Sequence, residues 1–443
     1  MRTIKLSFWS LLLGLSVLWV LANIGAPATR GFFPVRHLMM QYTGVLGIGV
    51  MSVAMILATR PLWLEPYLGG LDKFYRLHKW LGIAALTVAI VHWLWANGPK
   101  WAVGLGLMNR PQHRGDLGTL SAIQQFLREQ RGVAELIGEW AFYAVVLLIA
   151  LALIKWFPYR LFAKTHKILA VAYLALVLHA VVLMEFRYWT EPVGVVTGVL
   201  MAGGVVSAIM VLFNLIGRRH QAHGTIESLE YYPEVRVLET AIRLDEDWRG
   251  HKAGQFAFVT FNPKEGAHPF TLAHAWNPDD RREVFITKGL GDYTNLLPDL
   301  LRVGDRAKIE GPYGRFTFDD QNERQIWIGG GIGITPFIAR MKHLSRTRRE
   351  HDIDLYYTSS IFDTTVTNKL TADAEAANVR LHILIDDKDG RLDGARIRSE
   401  NADWRSASVW FCGPTGFGKA VRDDLVAHGL APKHFHQELF NLR

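Results

Sequence analysis

Up to about residue 216 the chain is a succession of apolar runs, and beyond it charged residues and short alternating segments take over. No other feature constrains the fold as much. Six runs, Leu6–Asn23, Leu38–Ala58, Trp80–Ala96, Leu136–Trp156, His166–Met184 and Val193–Ile216, approach or exceed the roughly 17–25 residues needed to cross a ~30 Å hydrocarbon core. The expected architecture is a bundle of six membrane helices followed by a soluble part. The first run also resembles a signal peptide, with Arg2 and Lys5 ahead of it and Ala26-Pro27-Ala28 after it. Its length and its tryptophans favour a retained helix.

Charge sets the expected orientation. Arg2 and Lys5, then Arg60, Lys73, Arg76 and Lys79, then Lys155, Arg160, Lys164 and Lys167, then Arg218 and Arg219 fall in loops on one side, which reads as the cytoplasm. Both termini are then cytoplasmic, in a multi-pass protein of the cell (inner) membrane. The segment from Asn97 to Glu135 carries Lys100, Arg110, Arg114, Arg128 and Arg131 outside, but it is long and partly amphipathic, and long loops obey the rule less. Much of the net charge of +8 lies in the short loops, where charge more often sets topology, and no Lys/Arg tract with interleaved aromatics points to nucleic acid. Cys412 is the single cysteine, which excludes an internal disulfide, an iron–sulfur cluster and a covalently attached heme.

Four histidines lie in or at the edge of these runs: His78 and His92 with the third, His166 and His179 in the fifth. A membrane histidine can be a helix-end residue or an interhelical hydrogen-bond partner, yet it is costly enough in lipid to be a functional hypothesis. Here there are four, matched in depth. Fourteen residues, and thirteen for the second pair, correspond to ~20 Å of helix. Two helices so equipped can clamp two flat cofactors, one near each membrane face, and heme iron is the candidate for a pair of facing imidazoles. At ~100° per residue His78 and His92 share a face, whereas His166 and His179 stand ~140° apart. The fifth span is therefore expected to be distorted, or its two cofactors offset around it. Depth pairs His78 with His166 inside and His92 with His179 outside. Arg36, Arg76, Arg160, Lys167 and Arg187 suit heme propionates, although most also read as ordinary interfacial cations.

The soluble half divides again. Ile226–Tyr232, Val235–Leu244, Phe256–Phe261, Glu283–Thr287 and Arg306–Glu310 read as short strands separated by turns, the pattern of an antiparallel β-barrel. Past Asn322, strand-like Gln325–Ile328, Asp354–Thr358, Arg380–Ile385 and Ser408–Phe411 alternate with helical segments, the rhythm of a parallel α/β sheet. The expected domains are 1–219, 220–320 and 321–443. Gly329-Gly330-Gly331-Ile332-Gly333-Ile334-Thr335-Pro336-Phe337 follows a strand and opens a helix, where a pyrophosphate can approach backbone N–H groups. Its spacing is not the standard G-x-G-x-x-G.

His268-Pro269-Phe270-Thr271, then Thr287-Lys288 with Gly291-Asp292-Tyr293-Thr294, then Gly311-Pro312-Tyr313-Gly314, then Gly329–Phe337, then Phe411-Cys412-Gly413-Pro414 occur in this order. Together with the histidine pairs, the series resembles the NADPH oxidase/ferric reductase family over residues 38 to 443. The resemblance implies a membrane di-heme domain joined to a ferredoxin–NADP reductase-like module, with an FAD-binding barrel and an NAD(P)H-binding α/β domain. It implies two b-type hemes on the four histidines. Around FAD it places His268, Pro269, Phe270 and Thr271 near the isoalloxazine, and Lys288, Tyr293 and Thr294 on the pyrophosphate and adenosine side. For NADPH or NADH it implies Gly329, Gly330, Gly331, Gly333, Thr335, Pro336, Cys412, Gly413 and Pro414, with Cys412 close to where hydride leaves. Cys412 also reads as a small buried residue at a strand end. Glu438-Leu439-Phe440 resembles the family's terminal acidic–aromatic segment, whose aromatic covers the flavin; this chain continues for three further residues.

The implied reaction carries electrons from cytoplasmic NAD(P)H through FAD and two hemes to an acceptor outside. The expected acceptor is O2, giving superoxide; a ferric chelate, or a periplasmic partner protein docked on the outer loop, is the alternative. No EF-hand loop points to calcium control.

Overall fold

The computed structural model describes residues 2–25, 31–109, 121–154, 156–245, 248–320, 322–347 and 352–438. Ala26-Pro27-Ala28, Arg110, Arg114, Lys155, Leu439 and Phe440, all singled out above, lie outside the described residues. The chain forms two compact units, residues 1–64 with 73–216 and residues 65–72 with 217–442.

The first unit is helical: α1 (Arg2–Asn23) and α2 (Phe32–Ala58), then, beyond α3 (Glu65–Leu68), which belongs to the other unit, α4 (Leu71–Gly104), α5 (Ala122–Glu129), α6 (Arg131–Leu153), α7 (Tyr159–Leu183) and α8 (Pro192–Leu212). Six of these, all but α3 and α5, are long and apolar enough to cross a membrane among the described residues. This is a multi-pass membrane protein. Large apolar side chains such as Trp9, Leu13, Leu136, Trp140 and Val199 are exposed on its surface, as lipid contact requires. Between helices, where lipid and side chain are equally apolar, small residues allow close packing. On α8 the buried positions Gly194, Thr197, Met201, Gly204 and Ala208 recur every three or four residues and form one face. A Cβ on Gly204 would stand 2.0 Å from the Tyr173 hydroxyl, so only glycine fits there. That hydroxyl lies 2.8 Å from Ser52 Oγ, which keeps both polar groups satisfied in the membrane.

α4 runs well beyond the expected span at both ends. Asp72, Lys73, Arg76 and Lys79 lower the hydropathy of its first turns without interrupting the backbone hydrogen bonds, so apolarity marks the lipid-covered part and not the helix. His78 consequently lies inside the helix.

The second unit holds two sheets. β1 (Gln221–Tyr232), β2 (Val237–Leu244), β3 (Phe256–Thr260), β4 (His268–Thr271), β5 (Arg282–Lys288) and β6 (Arg306–Tyr313) form an antiparallel sheet in the order β4-β3-β6-β1-β2-β5. A bridge between Leu272 and Phe285 joins its two edges into a barrel. Ala222, Ile226, Ile242, Val259, Phe285 and Ile309 fill the interior. His268–Thr271 is itself a strand, paired through Ala257↔Phe270 with β3. Helix α9 (Asp292–Leu300) follows β5.

β7 (Arg324–Gly330), β8 (Asp352–Ser359), β9 (Arg380–Ile385), β10 (Ser408–Cys412) and β11 (Phe435–Gln437) form a parallel sheet in the order β11-β10-β7-β8-β9. Helices α10 (Thr335–Leu344), α11 (Thr364–Ala376), α12 (Asp386–Asp389), α13 (Gly394–Glu400) and α14 (Thr415–Ala427) connect the strands. Trp327, Phe337 and Leu355 pack in one core and Ile326, Ile328 and Val409 in another, so neighbouring residues of one strand are buried on opposite faces. The three-residue β11 lacks any sequence signal; its pairing with β10 through Trp410↔His436 is made by a stretch too short to show a period.

An ionic cluster ties β7, β8 and β9. Asp354 is buried and accepts from Arg324, from Arg380 Nη2 at 2.8 Å and from His382 Nε2 at 2.6 Å. Burial alone raises its carboxyl pKa; His382, Arg380 and Arg324 outweigh that and hold it well below the usual carboxylate range. Asp354→Ala is expected to destabilise this unit by about 2–4 kcal/mol, because buried parts of Arg324 lose their counter-charge. Thermal unfolding of the full chain in detergent reads the loss. A depressed carboxylate contributes stability above its ordinary value of 3.8 that is lost as pH falls through the lower folded value, so the wild-type advantage should shrink below about pH 4.

Candidate functional site

The structure brings the four membrane histidines together in the expected pairs. His78 and His92 project from α4, His166 and His179 from α7, with ring centroids 5.8 Å apart for His78/His166 and 6.3 Å for His92/His179. A metal–imidazole bond of ~2.0 Å on each side, plus ~1.1 Å from nitrogen to ring centre, puts two centroids ~6.2 Å apart across one ion. Both pairs fit that requirement.

The second ring nitrogens strengthen the fit. His78 Nδ1 donates to the Ala54 carbonyl at 2.9 Å, and His179 Nδ1 donates to the Ala134 carbonyl at 2.8 Å. Thr43 gives its hydroxyl proton to the Met39 carbonyl, so its oxygen accepts from His92 Nδ1 at 2.9 Å. Each of these rings is fixed in the tautomer that leaves the Nε2 lone pair for a metal. His166 has no hydrogen-bond partner at Nδ1 and is oriented by stacking on Phe162 at 5.0 Å.

α7 is an unbroken α-helix from Tyr159 to Leu183, so the expected distortion is not found. The 13-residue spacing is instead accommodated by side-chain direction: His179 leans onto α6, where a Cβ on Gly138 would stand 2.0 Å from its Nδ1, while His166 lies against Phe162 of its own helix. Around His92 and His179 is a cavity of about 450 Å³ lined by Gly44, Gly47 and Phe142, with Arg36, Lys100 and Arg131 also on its wall. Arg36 donates to the carbonyls of Trp95 and Ala96 at 2.9 and 3.0 Å.

In the second unit, β4 presents His268 and Phe270 on one aromatic surface. The His268 ring stacks on Tyr293 at 4.7 Å and on Phe270 at 6.3 Å. Burial lowers the His268 pKa, keeping the ring neutral. Lys288 ends β5, and its ammonium lies about 4.0 Å from where a Cβ of Gly331 would stand, so it reaches the glycine-rich turn. Burial, then Arg236, lowers its pKa. Thr294, expected on a phosphate, uses its hydroxyl locally: Oγ1 accepts from Leu290 N and Gly291 N and donates to the Gly291 carbonyl. It caps α9 and leaves anion contact there to backbone N–H groups.

β7 and β10 are adjacent and parallel, with Cys412 opposite Gly329. The chain leaves β7 toward β8 and β9 on one side, whereas β10 and β11 lie on the other, so the carboxyl ends of β7 and β10 flank the topological switch point, where open α/β sheets bind ligands. Gly329–Thr335 and Cys412–Pro414 meet there. A Cβ on Gly333 would stand 2.2 Å from the Cys412 carbonyl oxygen, and one on Gly330 2.9 Å from Pro414 Cδ. The glycines thus let the two turns touch. Gly331 adopts φ +57°, and Thr335 Oγ1 donates to the Ile332 carbonyl at 2.8 Å, closing the turn that opens α10; Pro336 sits in the first turn of that helix. Cys412 is fully buried, and burial followed by Glu438 raises its thiol pKa well above the usual value, so it stands there as a neutral packing group.

One contact had no sequence signal. Glu65 of α3 is buried, and its Oε1 accepts from Gly314 N at 2.7 Å and Leu71 N at 3.1 Å. Gly314, at φ +102°, ends the Gly311-Pro312-Tyr313-Gly314 motif.

Two pairs of facing histidines among helices long and apolar enough to cross a membrane, and a glycine-rich turn at the switch point of a parallel sheet, are the features to compare with known proteins. Residues 43–177 match the family model described as ferric reductase like transmembrane component, a stretch that includes His78, His92 and His166 and stops two residues before His179. The chain is 31% identical over 141 residues to a vanillate O-demethylase oxidoreductase of Pseudomonas sp., covering 32% of this chain and 43% of that protein. It is 23% identical over 161 residues to a flavohemoprotein of Oceanobacillus iheyensis, covering 34% of this chain and 40% of that protein. It thus spans less than half the length of these relatives. A solved ferredoxin reductase of carbazole 1,9a-dioxygenase is 17% identical, with a TM-score of 0.43 over 50% of this chain and 69% of that one. The chain is thus similar over residues 43–177 to ferric reductase-like transmembrane components, and over about a third of its length to an oxidoreductase and a flavohemoprotein.

Proposed function

We propose that this protein passes electrons from cytoplasmic NAD(P)H through FAD and two b-type hemes to an acceptor on the outer face, with O2 reduced to superoxide. The observation that carries the reading is the pair of facing histidine couples, 5.8 and 6.3 Å apart, in one chain with a dinucleotide turn at a switch point. When bound, FAD takes a hydride and releases electrons singly, and hemes relay single electrons.

The chain's own residues do the rest. His78 and His166 would hold one heme, on the cytoplasmic side by the distribution of Lys and Arg; His92 and His179 would hold the other. With both imidazoles of each pair engaged, the hemes would supply single-electron transfer to an acceptor they do not bind. Arg36, Lys100 and Arg131 offer cationic groups to propionates near the outer pair. His268, Phe270 and Tyr293 provide the flat aromatic wall for the flavin, and Lys288 a cation for its pyrophosphate. The Gly329–Thr335 turn and Cys412–Pro414 receive the nicotinamide dinucleotide. Residues 220–320 and 321–443 then act as separate flavin and dinucleotide domains. The balance is NAD(P)H plus two O2 giving NAD(P)+, two superoxide and one proton.

Gly138→Ala tests the outer pair sterically. Alanine is the better helix former by about 1 kcal/mol, so any loss of heme reflects the clash with His179. Heme content per chain is expected to fall by up to half.

The family model matched by residues 43–177 favours a second reading, reduction of a ferric chelate. Purified protein loaded with FAD and heme is given NADPH in air, and superoxide dismutase-sensitive reduction of added cytochrome c is measured. Its presence supports the oxidase reading; its absence, with rapid reduction of ferric chelate, replaces it.

A further inference from the structure

Beside strands β3, β4 and β5, His251, His274 and Glu283 bring three potential ligand atoms within 4.8 Å of one another. The side chains of His251 and Glu283 are wholly buried and that of His274 is 11% exposed. His251 lies ahead of β3, His274 three residues after β4, and Glu283 on β5.

The hydrogen bonding leaves this cluster incomplete. His251 Nε2 is 2.9 Å from the His274 carbonyl oxygen, which can only accept, so that nitrogen carries the proton. Its Nδ1 then offers a lone pair toward Glu283 Oε1 at 3.3 Å, without the alignment of a hydrogen bond. On the other side His274 Nδ1 stands 3.7 Å from Glu283 Oε2 and also has no hydrogen-bond partner. Neither carboxylate oxygen has a hydrogen bond of good geometry, the nearest ring nitrogen being His251 Nδ1 at 3.3 Å. A wholly buried carboxylate between two imidazole nitrogens is costly unless a positive charge, on a ring or on a bound ion, joins them.

We propose that His251, His274 and Glu283 bind a divalent cation of the zinc type. Ligands at ~2.1 Å in a tetrahedron stand ~3.4 Å from one another, close to the 3.3 and 3.7 Å found here. Two imidazoles and a carboxylate suit Zn2+, and the bond from His251 Nε2 to a backbone carbonyl is the outer support that zinc-ligating histidines use. With His251 and Glu283 wholly buried, the ion's role would be structural. Ala273 N donates to the Val284 carbonyl at 2.8 Å beside the Leu272–Phe285 bridge, so the ion would staple β4 to β5 where the barrel closes. It would thereby hold the strand bearing His268 and Phe270.

The test is zinc content of the full chain in detergent, incubated with Zn2+ and desalted, with zinc K-edge absorption to read the ligands. The expected result is one zinc per chain in a nitrogen- and oxygen-only shell containing imidazole. Glu283→Gln and His274→Ala should each weaken zinc binding by at least about 100-fold, and the wild-type spectrum stands whether or not those variants fold. Wild-type protein that takes up no zinc, the cluster holding a shared proton instead, would overturn the proposal. So would zinc retained undiminished in both variants, or a shell containing sulfur.

Discussion

His92→Ala and His179→Ala are each expected to remove one heme of two and to stop electron delivery to the outer face, while NAD(P)H still bleaches the flavin. The two rings face each other at 6.3 Å, and each is fixed through Nδ1 by a different helix, His92 by Thr43 of α2 and His179 by Ala134 of α6. Without either imidazole the cavity of about 450 Å³ would offer a heme only one histidine, and a noncovalently held cofactor should be lost on purification. Flavin reduction should persist because the flavin-site residues belong to the other unit. Heme per chain and anaerobic flavin bleaching separate the two effects; unchanged heme content in both variants would refute the ligand assignment.

Gly333→Ala is the second large effect. Its Cβ would stand 2.2 Å from the Cys412 carbonyl oxygen and 2.5 Å from its carbon, both backbone atoms that cannot swing aside. One of the two turns must move, and both line the switch point where the dinucleotide is proposed to bind. A displacement costing about 2.7 kcal/mol corresponds to a ~100-fold loss of kcat/KM for NAD(P)H. FAD content and the heme spectrum should be untouched. Unaltered kinetics for NAD(P)H would mean that the dinucleotide lies elsewhere.

The elements legible in the sequence were those with a period or a length. Among the described residues, six apolar runs gave six helices, and nine strand-like runs fell on nine of eleven strands. The other two are less legible for physical reasons: Phe435–Gln437 is too short to show alternation, and His268–Thr271, which by itself reads as a turn entering a strand, contains Pro269, which pairs with Phe258. Ends were less legible than cores, since α4 continues through Asp72 and Lys73 once its hydrogen bonds are running. At the candidate site, the paired histidines and the touching glycine turns stood out because spacing and strand order carry them. Their supports did not. Gly138, Thr43 and the carbonyls of Ala54 and Ala134 matter through positions that only helix packing sets. Glu65 matters through a contact 249 residues away in sequence. The His251–His274–Glu283 cluster was missed for the same reason, its members coming from three different segments.

The most direct test of the central claim is anaerobic reduction of the purified, FAD- and heme-loaded full chain by NADPH, followed by visible spectroscopy. The account predicts that flavin bleaching is followed by the absorption bands of two reduced bis-histidine b-type hemes. Flavin that bleaches while the hemes stay oxidised would contradict an electron path through His78/His166 and His92/His179.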